Sequence, residues 1–431
     1  MENKIVYVGL AADILHKGHL NILKTAKKYG KVVVGLLTDE AIATYKPFPL
    51  LPFEERKMVI KNIRYVSQVM PQVTLDYTAN LKKIKPDYVV HGSDWRKGVQ
   101  KNIRKKVIQT LKQWNGKLIE PKYTQGISSS EIKKKISSTV SLIDGRRSRL
   151  KRLIASKKIV RILESHSPLT GMIIEQLFIN KKGKRREFDG MWSSSLTDSS
   201  IKGKPDNQSV DYSSRLEMLN DILDVTSKPI IFDADNGGRI EHIPYLVRSL
   251  DRMGISAMII EDKVGLKKNS LFKDQSDVKQ DTIKNFKSKI STAKKASFSE
   301  DFMVIARIES FILGKSLSDA IKRANEYSKA GADAILIHSK DKSITRLVKF
   351  AKKFSKSKFY KPLVCVPSAY PHIKESELAK IGFKIVIYAN HLLRTSYKSM
   401  RQVAFEILKN QRSYNSRNKM SSVKEIINLI K

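Results

Sequence analysis

The chain has 431 residues, enough for two or three domains or for one barrel with a smaller domain. Apolar residues make up 41 %, which excludes a disordered protein, and one cysteine, Cys365, excludes an intrachain disulfide and any Cys-rich zinc site. The 82 Lys and Arg outnumber the 42 Asp and Glu, for a net charge of +40. The lysines run through the whole length and no zinc finger, basic zipper or RRM-type signature accompanies them, so a nucleic-acid partner is not expected. With no apolar run of about 18 residues and no signal peptide, the expectation is a cytoplasmic protein that makes no membrane contact.

The segments Lys4–Val8, Val32–Leu37, Asp87–His91 and Lys117–Glu120 read as strands. Helical patterns lie between them at His19–Tyr29, Phe53–Ile63 and Arg104–Trp114. This alternation predicts a doubly wound, Rossmann-like parallel sheet over residues 1–137, with ligands bound beyond the carboxyl ends of its strands. The first strand is followed by Asp13-Ile-Leu-His16-Lys-Gly18-His19. Gly18 lets a phosphate approach the backbone N–H groups at a helix start, and His16 and His19, one turn apart, can donate to its oxygens. Lys46 and Arg56 follow the second strand, and His91-Gly-Ser-Asp94-Trp95 follows a later one. Gly126-Ile-Ser128-Ser129-Ser130 offers hydroxyls before another helix, as phosphate contacts or as plain N-caps.

Residues 138–149 are polar, turn-forming and basic, and read as a linker. Eight apolar runs then follow, each ending in a polar residue: Ile159–Leu163, Gly190–Trp192, Pro229–Phe232, Ala257–Ile260, Met303–Ala306, Ala334–Ile337, Pro362–Val366 and Lys384–Tyr388. Helical patterns such as Leu317–Ala330 separate them. Eight such units predict a TIM-type (β/α)8 barrel over residues 150–431, with its site at the carboxyl ends of the strands. Those ends read Glu164, Trp192/Ser194, Asp233/Asp235, Glu261, Arg307/Glu309, His338, Ser368 and Asn390. The carboxylates of Asp233, Asp235 and Glu261, with Arg307 and His338 further round, suit Mg²⁺ bridging an oxyanion. After Glu261 the stretch to Ser270 is polar, basic and carries Gly265, as a loop that closes over an anion would.

The first 137 residues resemble the cytidylyltransferase family of the glycerol-3-phosphate cytidylyltransferase type. The resemblance rests on His16 and His19, Lys46, Asp94-Trp95 and Tyr123-Thr-Gln-Gly-Ile-Ser-Ser-Ser130. It implies that a phosphate or phosphonate oxygen attacks the α-phosphorus of CTP, aided by Mg²⁺. His16, His19 and Lys46 would stabilise the charge, and Asp94, Trp95, Ser128, Ser129 and Ser130 would bind substrate. Two departures bear on the acceptor: the family's Gly-Thr-Phe-Asp is Leu10-Ala-Ala-Asp13, and its late arginine is Tyr123 beside Lys122.

From Leu150 nearly to the end the chain resembles phosphoenolpyruvate mutase, of the isocitrate lyase superfamily. The motifs are Trp192-x-Ser194-x-Leu196, Pro205-Asp206-Asn207, Asp233-Ala-Asp235, Glu261-Asp-Lys263 with Lys267-x-Asn269-Ser270, Ala306-Arg307 and Ala389-Asn390-His391. The resemblance implies that Asp233 binds Mg²⁺ directly, and Asp235 and Glu261 through water. Trp192, Ser194, Ser195 and Leu196 would form the shelf under the substrate. Arg307 would hold the phosphoryl group with His338 beside it, and Asp206, Lys267 and Asn269 would belong to closing loops. The family's D-x-D-x-G-Y-G is here Asp233-Ala-Asp-Asn-Gly-Gly-Arg239. Lyases of the superfamily need a loop cysteine, and Cys365 falls on a strand instead. Phosphonopyruvate hydrolase is the nearer rival, and Asn269 favours the mutase. The order of the two halves is similar to that of bifunctional enzymes of phosphonate biosynthesis. The implied ligands are phosphoenolpyruvate or phosphonopyruvate, CTP and a phosphonate, and the implied assembly is a dimer or tetramer through the barrel.

Overall fold

The computed structural model describes residues 4–96, 100–121, 142–181, 183–265, 267–270, 272 and 274–429. Two compact units emerge: Met1–Ser141 with Phe178–Arg186, and Leu142–Leu177 with Glu187–Lys431. No helix among the described residues is long and apolar enough to cross a membrane.

The N-terminal unit is built on β1 (Ile5–Leu10), β2 (Lys31–Leu37), β3 (Gln68–Gln72), β4 (Tyr88–Val90) and β5 (Lys117–Ile119), all parallel in the order β3-β2-β1-β4-β5. The β1 sequence, Ile-Val-Tyr-Val-Gly-Leu, is buried almost throughout, as a central parallel strand covered on both faces must be. Strand order reverses between β1 and β4, and such a switch point opens a crevice at the strands' carboxyl ends. The β3 strand is absent from the pattern in the sequence. It contains Pro71, which cannot donate to a ladder, and it lies at the sheet edge where that defect is tolerated.

The second unit opens with a helix, Leu142–Ser156. This corrects the linker reading for residues 142–149. The basic residues there pack into the fold: Arg146 is buried and donates from Nη2 to the carbonyls of Thr226 (2.9 Å) and Leu223 (3.3 Å). Arg147 pairs with buried Asp251 at 2.7 Å. Next come β6 (Val160–Glu164), the two-stranded sheet of β7 (Phe178–Lys181) and β8 (Lys184–Glu187), then β9 (Gly190–Ser193), β10 (Ile230–Asp233) and β11 (Ala257–Glu261). A small antiparallel pair, β12 (Lys263–Val264) and β13 (Lys279–Gln280), precedes β14 (Met303–Ile308), β15 (Ala334–Ile337), β16 (Leu363–Cys365) and β17 (Phe383–Tyr388). Strands β6, β9, β10, β11, β14, β15, β16 and β17 close a parallel barrel, with β17 pairing back onto β6.

The helices follow the spacing of their apolar residues. In Ile243–Arg252, Ile243, Leu246, Val247 and Leu250 fall on one face and are all buried. Each contributes roughly 1.5–3 kcal/mol relative to exposure. Gly190 opens β9 because any side chain would strike the Pro229 carbonyl, 2.6 Å from where its Cβ would stand. Cys365 is fully buried on β16, away from the loop after β11.

Candidate functional site

In the N-terminal unit the chain leaves β1 and enters the helix Lys17–Lys27 at His16, its N-cap. His16 Nδ1 accepts the Gly18 N–H at 3.1 Å, and His19 Nδ1 accepts the His16 N–H at 3.4 Å. Both rings therefore keep a proton on Nε2, ready to donate. Burial and the nearby Lys46 charge push the His16 imidazole below its usual value. Burial, His16 and Lys46 push His19 down to about 3. Two neutral N–H donors and a lysine at a helix start make a phosphate cradle. Arg56, buried, braces the cradle from below. It donates to the carbonyls of Ala11 (2.6 Å), Leu37 (2.9 Å) and Leu51 (3.1 Å) and pairs with Asp39 at 2.7 Å. Asp13 accepts the N–H groups of Leu50 and Leu51, which ties the loop carrying Lys46 to the end of β1.

The structure thus brings His16, His19 and Lys46 together. Asp94 lies on the 3-10 turn Ser93–Arg96 after β4. Trp95 does not offer itself to a ligand: it is 1 % exposed, donates its indole N–H to Glu120 at 2.8 Å and stacks on His91 with ring centres 3.9 Å apart. Its position is that of a support under His91, a correction to its reading as a substrate contact. Hydrogen bonds from Arg104, Arg96 and Trp95 outweigh burial and hold the Glu120 carboxyl well below the usual range. Ser128, Ser129 and Ser130 lie outside the described residues.

In the barrel, the strand ends meet over a cavity of about 60 Å³. Trp192, Ser194, Ser195, Leu196, Asp206, Asp233, Lys267, Asn269, Arg307 and His338 all line it. Trp192 is buried, and its indole N–H has no hydrogen-bond partner among the described residues, which leaves a donor for a ligand oxygen. Asp233, ending β10, accepts the Ser195 hydroxyl at 3.0 Å. Lys267 reaches in from the loop after β11. Its ammonium touches Ser195 and Asp235, and stands 3.2 Å from Asp206 and 3.7 Å from Asp233. Burial works against that charge, but Asp233, Asp235, Asp206 and Glu261 outweigh it, and the lysine stays protonated. Burial likewise raises Asp233, yet Lys267, Arg307 and Arg215 hold its carboxyl down at about 2.

Opposite this group, Arg307 donates from Nε to Glu309 at 2.6 Å and from Nη2 to Ser270 at 2.9 Å. The same Nη2 lies 2.9 Å from His338 Nδ1 and 3.2 Å from Glu261. Glu261 thus sits against Arg307 and Lys263, one layer behind the cavity, and burial pushes its carboxyl up. Burial, with Arg307 beside it, pushes His338 down, so a neutral imidazole and a charged guanidinium face the cavity together.

The donor set fits a divalent, oxygen-loving cation. Asp233 and Asp235 already share one positive charge, that of Lys267, and Glu261 follows on the next strand. Among the described residues no three His, Cys, Asp or Glu side chains converge closely enough to hold a metal unaided. Mg²⁺ asks for no more than one or two carboxylates, with water and substrate completing its shell.

Several groups carry the site without having stood out in the sequence. Arg215, on the helix Tyr212–Leu223, is 1 % exposed, donates to Asp198 at 2.8 Å and to the Asp233 carbonyl at 2.6 Å, and covers the Phe232 ring. Removing one member of such a buried pair costs on the order of 3–5 kcal/mol. The available signal was a charged residue on the buried stripe shared with Leu219 and Ile222. Asp235 sits at φ +50°, a left-handed conformation that costs a non-glycine residue about 1–3 kcal/mol. Next to it Asn236 donates to the Gly265 carbonyl at 3.0 Å and accepts from Gln208 at 3.3 Å, linking both loops that flank the cavity. Glu164 has a different duty from the one its strand end suggested: its carboxylate accepts the N–H groups of Leu392 and Leu393 and caps the helix His391–Asn410.

Both halves of the chain have known relatives. Residues 150–408 match the family model of phosphoenolpyruvate phosphomutase, and residues 7–135 that of cytidylyltransferase-like proteins. The chain is 34 % identical over 281 residues to the phosphoenolpyruvate phosphomutase of Tetrahymena pyriformis, covering 65 % of this chain and 89 % of that one. It is also 34 % identical over 286 residues to the phosphonopyruvate hydrolase of Variovorax sp., covering 65 % of this chain and 93 % of that one. The crystal structure of phosphonopyruvate hydrolase in complex with oxalate and Mg²⁺ superposes with a TM-score of 0.58 at 32 % identity, over 66 % of this chain and 94 % of that one. At the N-terminal side, the ethanolamine-phosphate cytidylyltransferase of Mus musculus is 34 % identical over 122 residues, 28 % of this chain and 29 % of that one. The chain therefore belongs to the phosphoenolpyruvate phosphomutase family of enzymes, with a cytidylyltransferase-like domain ahead of the family's barrel.

Proposed function

We propose that the barrel is a phosphoenolpyruvate mutase, interconverting phosphoenolpyruvate and phosphonopyruvate, and that the N-terminal unit transfers CMP from CTP to a phosphonate. The observation that supports the mutase over the hydrolase is the placing of Asn269. Its amide lines the cavity and donates to Asp206 at 3.4 Å, beside Lys267, so two loops meet where a displacing water would have to stand.

The residues divide the work as follows. Arg307 and neutral His338 hold the phosphoryl group, and Trp192 to Leu196 hold the three-carbon body. The C–O–P bond breaks, a metaphosphate-like group forms, and the enolate carbon captures it to give a C–P bond and a ketone. No co-reactant is consumed. Asp206, Lys267 and Asn269 keep water out while the group is free, since water at that moment yields pyruvate and phosphate. Asp233, with Asp235 and Glu261 near it, would hold Mg²⁺, which would supply positive charge to the substrate oxygens.

In the N-terminal unit, His16, His19 and Lys46 stabilise charge on the nucleotide phosphates as pyrophosphate leaves. Hydroxyethyl-, aminoethyl- and hydroxymethylphosphonate are the acceptors to test, with glycerol 3-phosphate as the rival. Incubating the full chain with CTP, Mg²⁺ and each acceptor should release pyrophosphate with a phosphonate. Release with glycerol 3-phosphate alone would overturn the phosphonate assignment.

We propose further that a second copy of the chain covers the helix His391–Asn410. None of its residues is buried, and Tyr397, Met400, Phe405 and Leu408 are exposed. Unpaired apolar faces of this kind mark interfaces. A monomer mass by light scattering would contradict it.

A further inference from the structure

Residues Phe178–Arg186 lie between β6 and β9 in sequence, yet they belong to the N-terminal unit. In that unit the main-chain N–H of Arg185 donates to the carbonyl of Thr44 at 2.8 Å. Thr44 is the C-cap of the short helix Asp39–Ala43. Its hydroxyl closes back onto the Ala41 carbonyl at 2.7 Å, and the N–H of Lys46 bonds the Ile42 carbonyl at 3.0 Å. Lys46 follows in the same turn, and its charge acts on both His16 and His19. The Arg185 guanidinium itself lies over the Phe178 ring, 3.6 Å from its centre, so the contact to Thr44 is made by the main chain and not by the side chain. The segment reads Lys181-Lys-Gly-Lys-Arg-Arg186, the sign of charge that a triphosphate favours.

We propose that Arg185 is a positioning residue of the nucleotide site. Through its main-chain N–H it pins the Thr44 end of the short helix, and through that helix it sets where Lys46 meets the phosphates. The inference rests on reading His16, His19 and Lys46 as the phosphate cradle. Its consequence is that the cytidylyltransferase-like site is completed by residues encoded within the barrel half of the sequence. A strand residue whose N–H points away from its partner strand tolerates proline, so the one bond can be removed selectively.

The test uses the full chain with Arg185→Pro, which deletes the N–H, and Arg185→Ala, which keeps it. Both are assayed for the KM of CTP, for kcat of pyrophosphate release, for amide exchange over residues 41–46 and for phosphonopyruvate conversion. Arg185→Pro should raise the KM for CTP about 3- to 10-fold, the worth of one hydrogen bond, while kcat changes by less than about twofold. Amide exchange over 41–46 should speed up, Arg185→Ala should shift KM by no more than about twofold, and the barrel activity should stay as it was. An unchanged KM and unchanged exchange in Arg185→Pro would overturn the proposal. If the unmutated chain releases no pyrophosphate with any acceptor, the cradle reading falls instead. Exchange over 41–46 then decides the anchor alone: faster in Arg185→Pro supports it, unchanged refutes it.

Discussion

Asp233→Ala is expected to lower the conversion of phosphonopyruvate to phosphoenolpyruvate by more than roughly 10³-fold. Asp233 ends β10 with its carboxyl held ionised at about 2, so it offers a full negative charge to a cation at neutral pH. Its partners are Ser195 and the Lys267 ammonium, both cavity residues. Removing it takes away the proposed metal ligand and leaves Lys267 paired with Asp206 and Asp235 but no longer with Asp233. Calorimetric titration with Mg²⁺ alone should show lost affinity in the variant, which separates a metal defect from a defect in chemistry. Pyrophosphate release from CTP should remain near its unmutated rate, because His16, His19 and Lys46 belong to the other unit. Interconversion close to wild type in Asp233→Ala would show the metal assignment to be wrong.

The companion result belongs to the N-terminal unit. His16→Ala should cut pyrophosphate release by roughly 10²–10³-fold, the usual cost of removing one donor from a developing charge. The residue has two duties, and they can be parted. Its Nδ1 caps the helix Lys17–Lys27 by accepting the Gly18 N–H, and its Nε2–H is left for the ligand. Losing the cap costs about 1 kcal/mol of helix stability. Asparagine is among the best N-caps but does not reach as an imidazole does. His16→Asn should therefore keep the thermal unfolding midpoint of the unit and still lose the activity. Full pyrophosphate release in His16→Asn would mean that the histidine is only a cap.

Much of this was legible because parallel strands buried on both faces read as unbroken apolar runs. All eight barrel strands appear within two residues of those runs, and their polar ends deliver Asp233, Arg307 and His338 to one cavity, with Glu261 behind it against Arg307. The failures have physical causes. An edge strand with a proline, β3, has neither the run nor the alternation. The helix from Leu142 looks like a linker because the partners of a buried arginine, Arg146, are carbonyls of distant turns, at Thr226 and Leu223, which no local pattern encodes. Trp95 sits in a motif that reads as a ligand contact, while its burial depends on Glu120, 25 residues on. Arg215 and Asn236 act by bridging segments far apart in the chain, and the hairpin Phe178–Arg186 serves the unit it does not adjoin in sequence.

The proposed mutase moves a phosphoryl group from oxygen to carbon without surrendering it to water. Arg307, Asn269 and Lys267 enclose a cavity of about 60 Å³, and the loop is held at both ends by the pairing of β12 with β13. Asn269→Ala should slow isomerisation and raise the share of hydrolysis, because the amide that meets Asp206 is gone. Phosphorus NMR of phosphonopyruvate with Mg²⁺ and the unmutated chain resolves phosphonopyruvate, phosphoenolpyruvate and orthophosphate as separate resonances. Phosphoenolpyruvate growing in with little orthophosphate is the predicted result; orthophosphate as the main product would make the barrel a hydrolase.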